Sequence, residues 1–550
     1  MTIKIPKWLI LCIVAFFLSS GSRLVNDLFE FSKNLEIFSA VYKEVGDKYV
    51  DEVPPGKLAK TAISAMLSSL DPYTVFFSEY QAEEALIERQ GEYGGVGCRV
   101  IYRDKFPVIS EIIEGYAFDK ADIRIGDIIT QVGQANNLRS TENANQDFIF
   151  EQFRGAPQSQ FTVIIKRGNE ILTKNIVRAN VKTKSVPFAG MISSHIGYIK
   201  LDEFGQQCSN EIEIELKKLQ NNNDLKGLVL DLRNNGGGLL NEAVNIVGLF
   251  IGENKLVVSL KGKNHEGPKK WITSSPAVAP NLPLVVLVNK NSASASEVVS
   301  GSLQDMDRAV IVGQTSFGKG LVQNYSTLPF RTQMKITTAR YYTPSGRCIQ
   351  KLQYDEKDEF GKATVKSNEQ KKIFKTKNGR IVYDAGGIDP DVFLPLFGGT
   401  QMIHWLEKEY FIFDWANKFI QFHPDYIKNP EQIQLNIAKS QTDFEQYILT
   451  KGPKIMQTNW HNHLRKQGTD SFWTQQMGLY TIDENKLTTF LNTGLTNNKN
   501  QIATQLKLAL FKRCFKEEKY YANSLKIDNE IERCIEILNA PERIKLILKQ

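Results

Sequence analysis

The chain has 550 residues, 42% of them hydrophobic and 23% charged, the make-up of a folded protein with room for several domains. A formal net charge of +7 over that length is too small to argue for a nucleic-acid partner. No zinc-ligand spacing, phosphate-binding loop or dinucleotide fingerprint occurs, so neither metal nor cofactor is expected.

The opening residues, MTIKIPKWLILCIVAFFLSSGS, follow an export pattern. Lys4 and Lys7 form a basic end, Leu9 to Leu18 an apolar core, and Ser19 to Ser22 a small-residue stretch. That core is shorter than the ~20 apolar residues of a membrane span. Residues 1–22 therefore read as a cleaved signal, with a retained anchor as the alternative, and the expected location is periplasmic or in the cell envelope. Cys98, Cys208, Cys348, Cys514 and Cys534 are scattered without the dense spacing of a disulfide scaffold. They read as free thiols, a Cys514–Cys534 pair being the alternative.

Residues 25–90 read as helical. Leu28, Phe31, Leu35, Phe38, Val41 and Val45 form one stripe at helical spacing. Pro72 in LDPYTVFFS breaks the pattern, and Ser78 with Gln81 forms a capping-box signal. From Gly91 to about residue 180 the pattern becomes short strands. FPVISEIIEG is a strand, YAFDKADI a short helix, RIGDIITQVG a Gly-Asp turn into a strand, and QFTVIIKR with EILTKNIV a hairpin around Gly168 and Asn169. This order, and the phrase ADIRIGDIITQVG above all, resembles a PDZ domain (91–180). Such a domain binds a peptide's terminal carboxylate in a Gly-rich loop and adds the peptide to a sheet edge. The loop would be Tyr93, Gly94, Gly95, Val96 and Gly97.

Between 181 and 398, the runs IGYIKL, GLVLDL, LPLVVLV and RAVIVG are near-continuously apolar, as in a sheet covered on both faces. NEAVNIVGLF and SEVVSGSLQD are helix-like segments between them, which makes an α/β domain. Residues 399–550 are rich in Gln, Asn and Lys with helical spacing and read as a helical region without chemistry. His461 and His463 there read as surface histidines.

NKNSASASEVVSGSLQD places Ser292, Ser294, Ser296 and Ser300 where a strand hands over to a helix. A serine at that junction is ordinarily a cap, and Ser292 and Ser296 read that way. A serine nucleophile needs a base to take its proton. None of His195, His265, His404, His423, His461 and His463 sits in a triad signature. Lysine can serve if burial in apolar surroundings keeps it neutral. Lys319, in TSFGKGLVQ, lies between two glycines with Phe317, Leu321 and Val322 around it. Gln323, four residues on, could orient its amine. DLRNNGGG ends a strand in glycines that let backbone N–H groups approach a substrate, and the N–H of Ala295 is the natural second donor.

Together DLRNNGGG, NKNSASASEVVSGSLQD, GQTSFGKGLVQ, TTARYYTPSGRCIQ and GGIDPDVFLP resemble the carboxy-terminal processing peptidases, or tail-specific proteases, from about Asp71 to Pro395. The resemblance implies an exported Ser/Lys endopeptidase with a PDZ domain inserted in a crotonase-like core. It carries the nucleophile to Ser294, the general base to Lys319, the orienting amide to Gln323 and the oxyanion-hole glycines to Gly237 and Gly238. Glu297 and Asp305 match positions important in some members. The chain departs from many members at Gln314, where they carry Glu, and at Ser316, where they carry Thr. The first exchange removes a charge near the lysine and the second keeps the hydroxyl.

The expected partners are unfolded or tailed protein substrates and not nucleic acid. The reading leaves room for membrane association through the N-terminal segment and for a homo-oligomer. The alternative function is a non-catalytic, PDZ-containing peptide-binding or scaffold protein of the cell envelope.

Overall fold

The computed structural model describes residues 7–79, 81–82, 92–222, 224–263, 267–358, 361, 363–395, 400–434, 437–466 and 484–549, and in the first helix side chains from residue 28. The backbone divides into two units, residues 1–82 with 323–337 and residues 83–322 with 338–550.

In the first unit, helix Lys7–Lys48 is followed by helix Pro55–Ser68, which opens on the proline. Proline suits that position because its missing N–H would have no helical partner there. Asp71 then ends the helical run. Its Oδ1 accepts the N–H groups of Tyr73 and Thr74, both at 2.8 Å, a turn that directs Val75–Phe77 into antiparallel pairing with residues 333–335. The expected apolar stripe is helical, but it is not a core. Leu28, Phe31, Leu35, Phe38 and Val41 are all more than half exposed. The export segment lies in residues 1–22, outside the described side chains. Among the described residues no helix is long and apolar enough to cross a membrane.

In the second unit the strands predicted for 91–180 form one sheet in the order Cys98–Arg103, Phe106–Ile112, Ile128–Gln134, Gln160–Arg167, Glu170–Val177, with Asn137–Ser140 on the third. Gly168, at φ +60°, turns the hairpin between Arg167 and Glu170, a backbone setting that favours glycine. Helix Gln146–Phe153, capped by Asn145 Oδ1 on the N–H of Phe148, contributes Ile149 and Phe153 to a core with Ile109, Phe118, Ile129 and Val163. The Gly-Asp turn has a structural task. Asp127 is buried and takes Arg167 Nη2 at 2.6 Å and the N–H of Arg124 at 2.7 Å. The two ends of the domain pair with each other, Glu92–Gly95 against Ala179–Lys182, as an inserted domain requires.

The apolar runs of the α/β domain build a six-stranded sheet. Its order is Phe188–Met191, Ile196–Lys200, Gly227–Asp231, Leu284–Val288, Val310–Gly313, Val392–Phe393, parallel after the first pair. Alternate residues serve opposite faces. Leu228, Leu230, Val286 and Ile311 meet helices Cys208–Asn222, Leu240–Ile251 and Ala295–Asp305. Val229, Val285, Leu287, Val310 and Val312 meet Ile531, Cys534, Ile537, Leu538, Ile544 and Leu548. The second face is therefore covered by helices Asn529–Leu538 and Pro541–Leu548. The residues beyond 399 are helical, as their spacing indicated, and part of them belongs to this core. Their remaining helices have a core of their own around Trp405, Phe411, Trp415, Phe444, Leu491 and Phe511. They hold the strand-rich domain of residues 92–182 by ion pairs, Arg103 with Asp414, Lys512 with Glu111 at 3.2 Å and Lys516 with Glu114 at 3.0 Å. Cys514 and Cys534 are free thiols.

Ile537 is fully buried against the sheet. Ile537→Ala should lower the stability of the α/β domain by about 2–4 kcal/mol, read as a shift in its urea unfolding midpoint at unchanged slope.

Candidate active site

Strand Leu284–Val288 ends at Asn289, and the chain turns through Ser292 and Ala293 before helix Ala295–Asp305 begins. Ser294 makes that turn at φ +56° and ψ −113°. A side chain rarely adopts such a setting, and a residue held there marks a constraint imposed by its surroundings. The surroundings are visible. Ser292 and Ser296 are not helix caps. Ser292 Oγ accepts the N–H of Asn289 and donates to the carbonyl of Leu232 at 2.8 Å, and Ser296 Oγ donates to the carbonyl of Asn235 at 2.9 Å. The N–H of Ala293 donates to that same carbonyl at 3.0 Å. The serine turn is thus sewn to the loop after strand Gly227–Asp231. Ser294 is left partly exposed at the positive end of the helix.

Glu297, three residues into the helix and fully buried, connects this turn to the lysine loop. Its Oε2 accepts the N–H of Ser294 and the N–H of Lys319, each at 2.9 Å. Its Oε1 accepts the N–H of Gly318 at 2.7 Å and the hydroxyl of Ser316 at 2.5 Å. Burial pushes the carboxyl pKa up, and these donors pull against it. Ser316 Oγ also accepts the N–H of Ile388 at 2.6 Å, so the serine found in place of threonine keeps a structural hydroxyl. From the other side Gln350 Oε1 accepts the N–H of Gly320 at 2.7 Å. Lys319, partly buried, is therefore bracketed by fixed neighbours. Asp305, at the far end of the helix, is buried against Arg347 at 2.8 Å and accepts the N–H of Ser345.

In the glycine loop, Asn235 is the residue that sequence reasoning passed over. It is fully buried, its Nδ2 donates to the carbonyl of Leu201, and its Oδ1 accepts the N–H of Gly237 at 2.9 Å. The signal was its position before a glycine run, where Asn side chains bond the backbone two residues on. Gly237 has φ +104°, and a Cβ there would stand 2.8 Å from Ser294 Cβ, so only glycine lets the loop come this close. Its N–H is engaged by Asn235. The N–H groups of Gly238 and Ala295 have no acceptor among the described residues. Gln323 falls in the other unit, where its Nε2 donates to Thr337 Oγ1 at 3.2 Å.

The expected peptide loop is shorter than its glycines suggested. Tyr93, Gly94 and Gly95 belong to the strand paired with Ala179–Lys182, and only Val96 and Gly97 form the turn into Cys98–Arg103. The carbonyls of Val96 and Gly97 accept the N–H groups of Phe118 and Ile113. Cys98–Arg103 is an end strand, paired with Phe106–Ile112 on one side and with no strand on the other among the described residues.

Residues 195–357 match the model of "Peptidase family S41", residues 84–166 that of the "PDZ domain", and residues 402–538 that of "Probable PDZ-protease, C-terminal helical domain". A carboxy-terminal-processing protease of Bartonella bacilliformis is 33% identical over 58% of this chain and 73% of its own length. A Staphylococcus aureus protein named "Probable CtpA-like serine protease" is also 33% identical, over 58% of this chain and 62% of its own length, so the match spans less than two thirds of that relative. Among solved structures, the photosystem II D1 C-terminal processing protease is 25% identical, covering 65% of this chain and 92% of its own, with a TM-score of 0.35. By the identity and reach of the Bartonella match, the chain belongs to peptidase family S41, the carboxy-terminal-processing proteases, and is a serine-type peptidase with a PDZ domain.

Proposed function

We propose that the chain is an exported endopeptidase that captures unstructured, apolar C-terminal tails on its PDZ domain and cleaves them through an acyl-enzyme on Ser294. The observation that carries this reading is Glu297, one buried carboxylate bonded to the backbone N–H groups of both Ser294 and Lys319. A fold with no use for that serine and that lysine together would have little reason to tie them to one point. Export rests on the pattern of residues 1–22, and tail capture on the PDZ domain with the unpaired edge of Cys98–Arg103.

The chemistry follows from the roles assigned. Lys319, as the neutral amine, takes the proton of Ser294 Oγ while that oxygen attacks the scissile carbonyl. The N–H groups of Gly238 and Ala295 receive the oxyanion, since that of Gly237 is already engaged. As the C–N bond breaks, the Lys319 ammonium returns its proton to the departing amine. The amine then takes a proton from water, whose oxygen attacks the ester, and Ser294 leaves with that proton. Gln323 is given the task of orienting the amine on the family motif alone.

Ser294→Ala and Lys319→Ala should each lower kcat by about 1,000-fold or more on an unfolded substrate with an apolar tail, with the folding transition and tail affinity unchanged. Wild-type protein that binds the tail without cleaving it would overturn the proposal in favour of a tethering role. For the supporting carboxylate, Glu297→Gln puts an amide NH2 against N–H donors and should cost about 100-fold in kcat through misplacement of both loops. Because burial raises the Glu297 pKa above the ordinary 4.5, the carboxylate is lost on acidification before an exposed one would be. On acidification kcat should fall in both proteins as the Lys319 amine is protonated, and in the wild type a second fall, above that value, should follow as Glu297 takes up a proton and be missing from the Gln variant. Acid profiles of the same shape in both proteins would contradict the assignment.

A further inference from the structure

We infer that Asp528 and Glu530, in the C-terminal helical region, are positioning residues of the peptidase site, acting through Arg233. The inference rests on the proposed reading of Ser294 and its oxyanion donors. Arg233 stands between strand Gly227–Asp231 and the glycines of the loop. Its guanidinium faces two segments at once. Nη2 meets Asp231 Oδ2 at 2.6 Å, and Nη1 meets Asp528 Oδ2 at 2.8 Å and Glu530 Oε2 at 2.5 Å. Its backbone is held as well, the N–H by Asp231 Oδ1 at 2.8 Å and the carbonyl by Lys200 Nζ at 2.7 Å.

The cluster is largely buried, with Arg233 and Lys200 set against three carboxylates. Burial alone would raise the Asp231 pKa, but the Arg233 and Lys200 charges bring it down to about 2. Tyr198 donates its hydroxyl to the same carboxylate at 2.8 Å. Asp528 does two jobs. Its Oδ1 accepts the N–H of Glu530 at 2.9 Å and so opens helix Asn529–Leu538, while its Oδ2 faces Arg233. The point where that helix starts is therefore also a point that clamps the loop. Beyond Arg233 the loop is tied at its far end by a bridge between Gly238 and Phe204 before helix Leu240–Ile251 begins, so Arg233 fixes its entry, and the proposed reading needs the Gly238 N–H held toward Ser294 within a fraction of an ångström for the oxyanion to be met. Removing one acid from the cluster leaves the rest of the core packed but lets the loop's entry point shift.

The test uses the full chain. Glu530→Gln should lower kcat about tenfold on a tailed, unfolded substrate while KM and tail affinity stay within about twofold, and backbone amide exchange over 233–239 should rise. Ile537→Val, in the same helix but packed on the sheet, supplies a control that lowers stability without touching the charges and should leave kcat and that exchange unchanged. Unaltered kcat and exchange in Glu530→Gln, or equal losses in both variants, would overturn the inference. Should the wild type fail to cleave any tailed substrate, the functional reading falls, and the exchange difference between the two variants still decides whether Glu530 holds the loop.

Discussion

The Glu297 carboxylate is the interaction on which the site depends. Its removal from water is costly, and an isolated buried carboxylate would take up a proton. Four donors from two separate segments converge on it, and the N-terminal end of a helix favours an anion at that position. The ionised form is thus affordable only when the serine turn and the lysine loop are both in register. Because a raised folded pKa means that ionisation works against stability as pH rises through it, the fold gives up some stability at neutral pH to keep this carboxylate charged, and receives a defined geometry in exchange.

Other buried charges follow the same logic further out. Arg347 with Asp305, and Arg380 with Asp307 at 2.6 Å, lie beneath the last turn of helix Ala295–Asp305 and just past it. Such pairs seldom add net stability over apolar residues of similar shape, while the loss of one partner is severe. What they provide is direction, since each fixes a neighbouring segment against the end of that helix. The glycines near Ser294 and Lys319 complete the arrangement, because a Cβ at Gly237, Gly318 or Gly320 would collide with neighbouring atoms.

Much of this was legible in the chain. The four apolar runs of the α/β domain are adjacent strands, and the Gly168 hairpin and the Gly-Asp turn of the PDZ domain fall where the residues put them. The misses share a cause, which is that local patterns do not reveal distant partners. Ser292 and Ser296 look like caps because capping is local, yet their acceptors lie about 60 residues away in sequence. The stripe from Leu28 to Val41 has a helical period, but a period does not say what covers it, and here it is exposed. The helix at Asn529–Leu538 hides its apolar face among charged residues, and only its position beside Val229 and Val285 explains why Ile531, Cys534 and Ile537 are spaced as they are.

That last packing has a consequence for the order in which the molecule can be made. The strands between residues 196 and 313 present Val229, Val285, Leu287, Val310 and Val312 on a face covered, among the described residues, mainly by residues 525–548, which follow roughly 200 residues later. Contacts so far apart in sequence form late, because the intervening chain must be ordered before they are rewarded. An emerging chain therefore carries its serine on an unfinished sheet with one apolar side open to water. Such a chain is a target for chaperones and is prone to aggregation until residues 525–548 cover that face.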